Sequence, residues 1–212
     1  MGQIFFLWYF NITLAIEIEL KAHVRDSEAL RILLINKARY LCSFEKEDTY
    51  YFPVNNSDIP KSGIRLRSES KTLPDGTEKK NVYVTYKTKE VKDGIEINDE
   101  KEFEINSSQN TTITVFDEFL KMMGLRPGLS KTKKGWSFSK EEINAELMEV
   151  KKLGWFLEME IVVNDIDDQE KRDIAISEGK KKLMDFFSDL CIEKDAIESR
   201  YYSEMLKKPS VS

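Results

Sequence analysis

A chain of 212 residues is long enough to bury a substantial core without disulfide or zinc staples. Its 41% apolar and 33% charged residues exclude both a membrane bundle and a sequence too poor in hydrophobes to fold. The net charge is −5, from 33 Lys plus Arg against 38 Asp plus Glu, which argues against a nucleic-acid or membrane partner and requires any anionic ligand to be met by local cations.

The scarce residues narrow the chemistry further. One histidine, His23, and two distant cysteines, Cys42 and Cys191, cannot assemble a Cys/His zinc centre within one chain, and a histidine-based triad would rest on a single side chain. Catalysis must then use carboxylates, Lys, Arg, Tyr and a bound metal. Unpaired cysteines suit a reducing compartment, so a cytoplasmic location is expected. No glycine spacing matches a phosphate-cradling loop or a dinucleotide fingerprint.

In chain order, the apolar block Ile4 to Ile16 is interrupted by Asn11 and Thr13, is too short to span a bilayer and lacks a basic leader. It reads either as a buried first strand or, for residues 1–10, as an extension upstream of the true start. Ile12 to Val24 alternates with a period of two, placing Ile16, Ile18, Leu20 and Ala22 on one face and Glu17, Glu19 and Lys21 on the other, which predicts a strand. Asp26-Ser27 offers an N-cap, and Leu30, Leu33, Leu34, Ala38 and Leu41 predict a helix carried through Phe44. Strands are expected over Thr49 to Pro53, Gly63 to Glu69, Asn81 to Lys89 and Glu96 to Ile105, separated by Leu73-Pro74-Asp75-Gly76 and Lys92-Asp93-Gly94. The lysine-rich stretch from Ser68 to Lys80 reads as a solvated hairpin tip.

The order then repeats in outline. Thr112 to Met123 carries a helical stripe closed by Gly124 at C′. Strands follow over Leu129 to Ser139, Ile143 to Val150 and Trp155 to Val163. Asp168 to Leu190 predicts an amphipathic helix despite Gly179, and Ala196 to Leu206 one more short helix. With no linker-like composition, residues 1–212 read as a single domain, strands over about 12–163 and C-terminal helices over about 168–206.

Several strands set charges against apolar neighbours at alternate positions: Glu17, Glu19 and Lys21; Arg65 and Arg67; Glu102 and Glu104; Glu158 and Glu160. Lys87 ends another such run, and Lys131 and Lys133 are again two apart. On one strand this is an ordinary sheet with one wet face. Together, these charges converge if the sheet closes with its charged side inward, and an ionic interior must hold water, metal ions and a polyanion. Glutamates at i and i+2 suit a hard divalent cation such as Mg²⁺ or Mn²⁺, and Arg and Lys suit phosphate oxygens.

Glu17-Ile18-Glu19-Leu20-Lys21 resembles the Glu-x-Glu-x-Lys signature of the CYTH superfamily, the triphosphate tunnel metalloenzymes, which include class IV adenylate cyclases and thiamine triphosphatases. Supporting segments follow in that family's order: Asp48 to Phe52, Ile64 to Arg67, Thr85 to Lys87, Glu102 with Glu104, Lys131 to Lys133, Leu153 to Glu160, and Ser199 to Leu206. The first and last of these look most like the cyclase branch.

The resemblance implies an α+β fold, an eight-stranded antiparallel closed β-barrel with flanking helices and a charged tunnel. It implies metal ligands at Glu17, Glu19, Glu158 and Glu160 for Mg²⁺ or Mn²⁺, triphosphate-binding cations at Lys21, Arg65, Arg67, Lys87, Lys131 and Lys133, and tunnel-wall carboxylates at Glu102 and Glu104. Glu17, Glu19, Lys21 and Lys87 would carry catalysis. The expected reaction is conversion of Mg- or Mn-ATP to cyclic AMP and pyrophosphate. Alternatives are a metal-dependent triphosphatase and a nucleotide- or polyphosphate-binding module. Relatives often dimerise, so a homodimer is a further expectation. Two departures stand out: Lys133 replaces the arginine of many relatives, and Met148 stands where relatives usually place a metal-binding Asp, with Glu146 on the same strand face as a substitute.

Overall fold

The period-two pattern of the first strand sets the plan of the whole molecule. Ile16, Ile18, Leu20 and Ala22 are all at most 1% exposed, and they face outward onto helices while their charged neighbours face inward. The computed structural model describes residues 13–54, 62–92, 94–105, 112–164, 166 and 168–206. Residues 1–12, which hold most of the apolar Ile4 to Ile16 block, lie outside the described residues, as does Asp93 of the predicted turn.

Eight strands form the barrel: β1 (Thr13–His23), β2 (Arg39–Pro53), β3 (Ser62–Thr72), β4 (Glu78–Lys92), β5 (Ile95–Ile105), β6 (Leu125–Lys140), β7 (Ile143–Val150) and β8 (Gly154–Asn164). Every pairing is antiparallel, and the ring runs β1-β5-β4-β3-β2-β6-β7-β8 and back to β1. Closure leaves no strand edge to protect. Chain neighbours mostly pair as hairpins. The first strand instead closes the barrel between β5 and β8, which brings its glutamates beside those of the last.

Helices α1 (Ser27–Lys37) and α3 (Gln169–Asp189) cover the outer apolar faces, and α2 (Thr112–Met122) covers another patch. Asp26 caps α1 by accepting from the Ala29 amide at 3.0 Å, and Asp168 caps α3 by accepting from the Lys171 amide at 3.1 Å. Leu183, Phe186 and Phe187 of α3 pack with Ile18 and Leu20 of β1, and with Met159 and Ile161 of β8, in the main core. Each such side chain contributes roughly 1.5–3 kcal/mol by leaving water. Gly124 follows α2 at a φ of 80°, the left-handed conformation expected of a C′ glycine. No helix among the described residues is long and apolar enough to cross a membrane.

The Ser68 to Lys80 stretch is a solvated tip only around Leu73 to Thr77, since β3 runs to Thr72 and β4 starts at Glu78, with Glu69 buried on the inner face, and two helices also differ from the sequence expectation. The first helix ends at Lys37 rather than running through Phe44: Ala38 is already extended and β2 begins at Arg39. Leu41 and Phe44 match helical spacing, but Cys42, Phe44, Lys46 and Asp48 are buried at every second position, and the barrel pairing of β2 with both β3 and β6 prevails. The final helix shrinks to α4 (Tyr202–Met205), preceded by a 3₁₀ turn (Lys194–Ala196). Between them the chain is held extended on β1: Ile197 bridges Ala22, and the Glu198 amide donates to the Lys21 carbonyl at 2.8 Å.

Candidate active site

The inward faces of the strands enclose a cavity of about 350 Å³. In it β1 places Glu17 and Glu19, and β8 places Glu158 and Glu160, with Glu19 directly opposite Glu160 in the ladder. Strand β3 adds Arg65, Arg67 and Glu69; β4 adds Lys87; β5 adds Glu96, Glu100 and Glu102; β6 adds Lys131 and Lys133. Lys46 and Tyr50 come from β2 and Glu146 from β7. Leu41 is the one aliphatic side chain among the described lining residues.

These ions are paired on themselves. Arg67 grips the fully buried Asp48 through two bonds of 2.6 and 3.0 Å, and Lys131 lies 3.5 Å from the same carboxylate. Arg65 donates from Nη2 to Thr85 at 2.9 Å and to Glu100 and Glu102 at 3.1 Å each. Lys87 sits among Glu17 at 2.6 Å, Glu100 at 3.0 Å and Glu19 at 3.7 Å, and Lys133 donates to Glu158 at 2.7 Å. Burial penalises the Asp48 and Glu158 carboxylates, yet the neighbouring cations outweigh it and hold both below their usual range.

The opposite holds where carboxylates crowd. Burial pushes Glu17 up to about 7, with Lys87 offsetting only part of the shift and Glu100 adding to it. Glu160 rises to about 8 through burial and repulsion from Glu17, Glu146 and Glu19, and no described residue bonds or pairs with it. Glu160 thus has no ion-pair partner among the described residues, whereas Glu17 keeps Lys87. No three His, Cys, Asp or Glu groups among the described residues stand ready to hold a metal ion, and Lys87 holds Glu17. The donor set nevertheless fits a hard divalent ion: the facing carboxylates of β1 and β8 offer oxygen ligands only, and the Asn98 carboxamide oxygen, opposite Glu17 in the β1–β5 ladder, is buried without a hydrogen-bond partner.

One end of the interior is closed by apolar groups. Phe44, Met148, Val150, Phe156 and Tyr202 form a buried cluster, with Phe156 edge-on to Tyr202 at 5.2 Å. Gly135 is required beside it, because a Cβ there would lie 2.1 Å from the Leu147 carbonyl oxygen. The extended segment before α4 delivers Tyr202. Glu198 anchors it, with its carboxylate 2.9 Å from His23 Nε2 and accepting from Arg200 at 2.6 and 2.9 Å. Lys21, Lys131 and Lys133 then place their ammonium groups 4.8–4.9 Å from the Tyr202 ring centre.

Of the residues singled out in sequence, Glu17, Glu19, Arg65, Arg67, Lys87, Glu102, Lys131, Lys133, Glu158 and Glu160 line the cavity. Lys21 and Glu104 do not. Lys21 is 2% exposed and donates to Glu96 at 2.8 Å beneath Tyr202. Glu104 continues the β5 face but is exposed at its end and accepts from Asn81 at 2.6 Å. Met148 is fully buried in the apolar plug, while Glu146 lines the cavity and is held by Lys46. Sequence reasoning passed over Lys46, Glu69, Lys71, Glu96, Glu100 and Tyr202 as lining groups. Glu96 and Glu100 extend the Glu102 face at a spacing of two, a signal visible in the sequence.

Comparison with known proteins agrees with this architecture. The chain is 25% identical over 194 residues to MJ0240 of Methanocaldococcus jannaschii, named as a candidate adenylate cyclase, covering 90% of this chain and 98% of that protein. The PH1819 protein from Pyrococcus horikoshii superposes with a TM-score of 0.70 at 26% identity, over 90% of this chain and 97% of the other. A Hippeastrum protein, a candidate adenylyl cyclase described as having a dominant triphosphatase activity, shares the fold at a TM-score of 0.53 and 16% identity, over 84% and 89% of the two chains. A family model for the CYTH domain matches residues 15–202, and with an ionic closed barrel behind that match, the chain belongs to the CYTH domain family.

Proposed function

We propose that the protein is a metal-dependent enzyme acting on a triphosphate compound, with conversion of ATP to cyclic AMP and pyrophosphate as the first reading. The observation that carries it is the ionic barrel interior, where Glu17, Glu19, Glu158 and Glu160 face Arg65, Arg67, Lys87, Lys131 and Lys133 across one cavity. Similarity to MJ0240 over nearly the whole chain supports the cyclase assignment.

Arg65 and Arg67 offer planar donors to phosphate oxygens, and Lys87, Lys131 and Lys133 add point charges. Each of these cations is held by a carboxylate, so binding phosphate is a swap of partners. Glu17, Glu19, Glu158 and Glu160 would hold Mg²⁺ or Mn²⁺, which supplies a Lewis acid that offsets negative charge as it develops on the reacting oxygens. In the cyclase reaction the ribose 3′-oxygen bonds to the α-phosphorus, the bond from that phosphorus to the bridging oxygen breaks, and pyrophosphate leaves with the electron pair. The hydroxyl proton passes to water. The basic wall orients the chain of phosphates and receives the leaving group, so positioning provides most of the rate.

A second reading, hydrolysis of inorganic triphosphate or of a nucleoside or thiamine triphosphate, is favoured by the lining itself, which is almost wholly ionic and offers little apolar surface for a base. Incubating the protein with Mn²⁺ and either ATP or tripolyphosphate, and resolving products by ion-exchange chromatography, separates the two. Cyclic AMP with pyrophosphate supports the first, and orthophosphate from tripolyphosphate the second. Absence of any product would leave only a binding module.

A further inference from the structure

We infer that Lys46 is a built-in cation that takes the place of a second divalent ion, so that the tunnel loads one metal per chain. The inference rests on the triphosphate reading above and concerns the carboxylates at the level of Glu146 and Glu158. Glu146 and Glu158 are opposite one another in the β7–β8 ladder, and Lys46 and Lys133 are opposite one another in the β2–β6 ladder. The two pairs meet across the interior. Lys46 Nζ donates to both oxygens of Glu146, at 2.5 and 2.7 Å, and lies 3.5 Å from Glu69, while Lys133 donates to Glu158 at 2.7 Å. At this level each facing carboxylate already has its own ammonium group.

The surroundings fix Lys46 there. Its side chain is 8% exposed, and its ammonium stands 4.5 Å from the Phe44 ring centre, against the plug that contains Met148. A divalent ion on Glu146 would have to displace that ammonium or share the carboxylate with it against like-charge repulsion. Met148 presents no oxygen to compensate. One step along β8 the balance reverses. Glu160 has no bonded or ion-paired partner among the described residues, and it lies opposite Glu19 and close to Glu17, where Lys87 is the cation shared by both. A single divalent ion therefore finds a carboxylate without an ion-pair partner at Glu160, beside Glu17 and Glu19, and none at Glu146. Lys46 supplies to Glu146 the fixed positive charge that a second divalent ion would otherwise bring.

Crystals soaked with Mn²⁺ and α,β-methylene-ATP test this by anomalous scattering, which counts ions without relying on turnover. The expected result is one Mn²⁺ peak at Glu17, Glu19 and Glu160, and none at Glu146. In Lys46→Met, and in Lys46→Gln should that variant crystallise better, a second peak is expected on Glu146 and Glu69. A second ion on Glu146 in the unaltered protein, or none there in either variant, would overturn the inference while the bound nucleotide upheld the triphosphate reading. A tunnel holding neither nucleotide nor Mn²⁺ would overturn both.

Discussion

Replacing Glu160 with glutamine should stabilise the empty protein at alkaline pH. A carboxyl raised from 4.5 to about 8 binds its proton more tightly in the folded state than in the unfolded state. The folded protein therefore loses stability as pH rises between those two values, and the full cost is present above pH 8. Glu160 keeps partial solvent access, so only part of that gap is felt, on the order of 2 kcal/mol. Glutamine has the same shape and no charge. For a chain of this size about 1 kcal/mol moves Tm by about 2–4 °C, so Glu160→Gln should raise Tm by roughly 4–8 °C at pH 9 in EDTA and by almost nothing at pH 4, below both values. Thermal unfolding followed by circular dichroism measures this, and the same variant should lose most of the Tm gain that Mn²⁺ gives the unaltered protein. A lower Tm for Glu160→Gln at pH 9 would refute the claim that this carboxylate lacks a cation.

Mn²⁺ affinity should rise with pH from about 6 to 9, because ions displace protons from Glu17, raised to about 7, and Glu160, raised to about 8; calorimetry in two buffers of different ionisation enthalpy would show proton release. Arg67→Met should destabilise by about 3–5 kcal/mol in urea unfolding, since it strands the buried Asp48, and adding Asp48→Leu should recover much of the loss. Gly135→Ala should cost at least about 2 kcal/mol by forcing β6 away from the Leu147 carbonyl, and with it disturb the plug around Met148. Tyr202→Ala should raise solvent access to Lys21, Lys131 and Lys133, detected as faster acetylation of these lysines by mass spectrometry.

The strands were legible because their inward residues are charged and their outward ones apolar, so Thr13–His23 and Gly154–Asn164 carry a period of two with opposite chemistry on each face, while closure into an eight-stranded barrel was read from the resemblance to the CYTH signature. The same alternation exposed most of the candidate site. It failed on β2, where Leu41 and Phe44 happen to continue the spacing of α1 and conceal the inward run of Lys46, Asp48 and Tyr50. Glu104 was misplaced for a different reason: alternation gives the face of a strand but not how far along it the cavity extends. Lys21 shares the inward face, yet its ammonium turns to Glu96 under Tyr202, a choice made by a segment nearly the whole chain away. Tyr202 itself follows no local pattern. It is placed by the bond from the Glu198 amide to the Lys21 carbonyl, a tertiary contact that no spacing encodes.

The most direct measurement is a crystal structure of the protein with Mn²⁺ and tripolyphosphate. Phosphate groups lying inside the barrel, against Arg65, Arg67, Lys131 and Lys133, with Mn²⁺ on the glutamates of β1 and β8, are the predicted result. Phosphate found only on the outer surface, with the interior ion pairs undisturbed, would contradict the account.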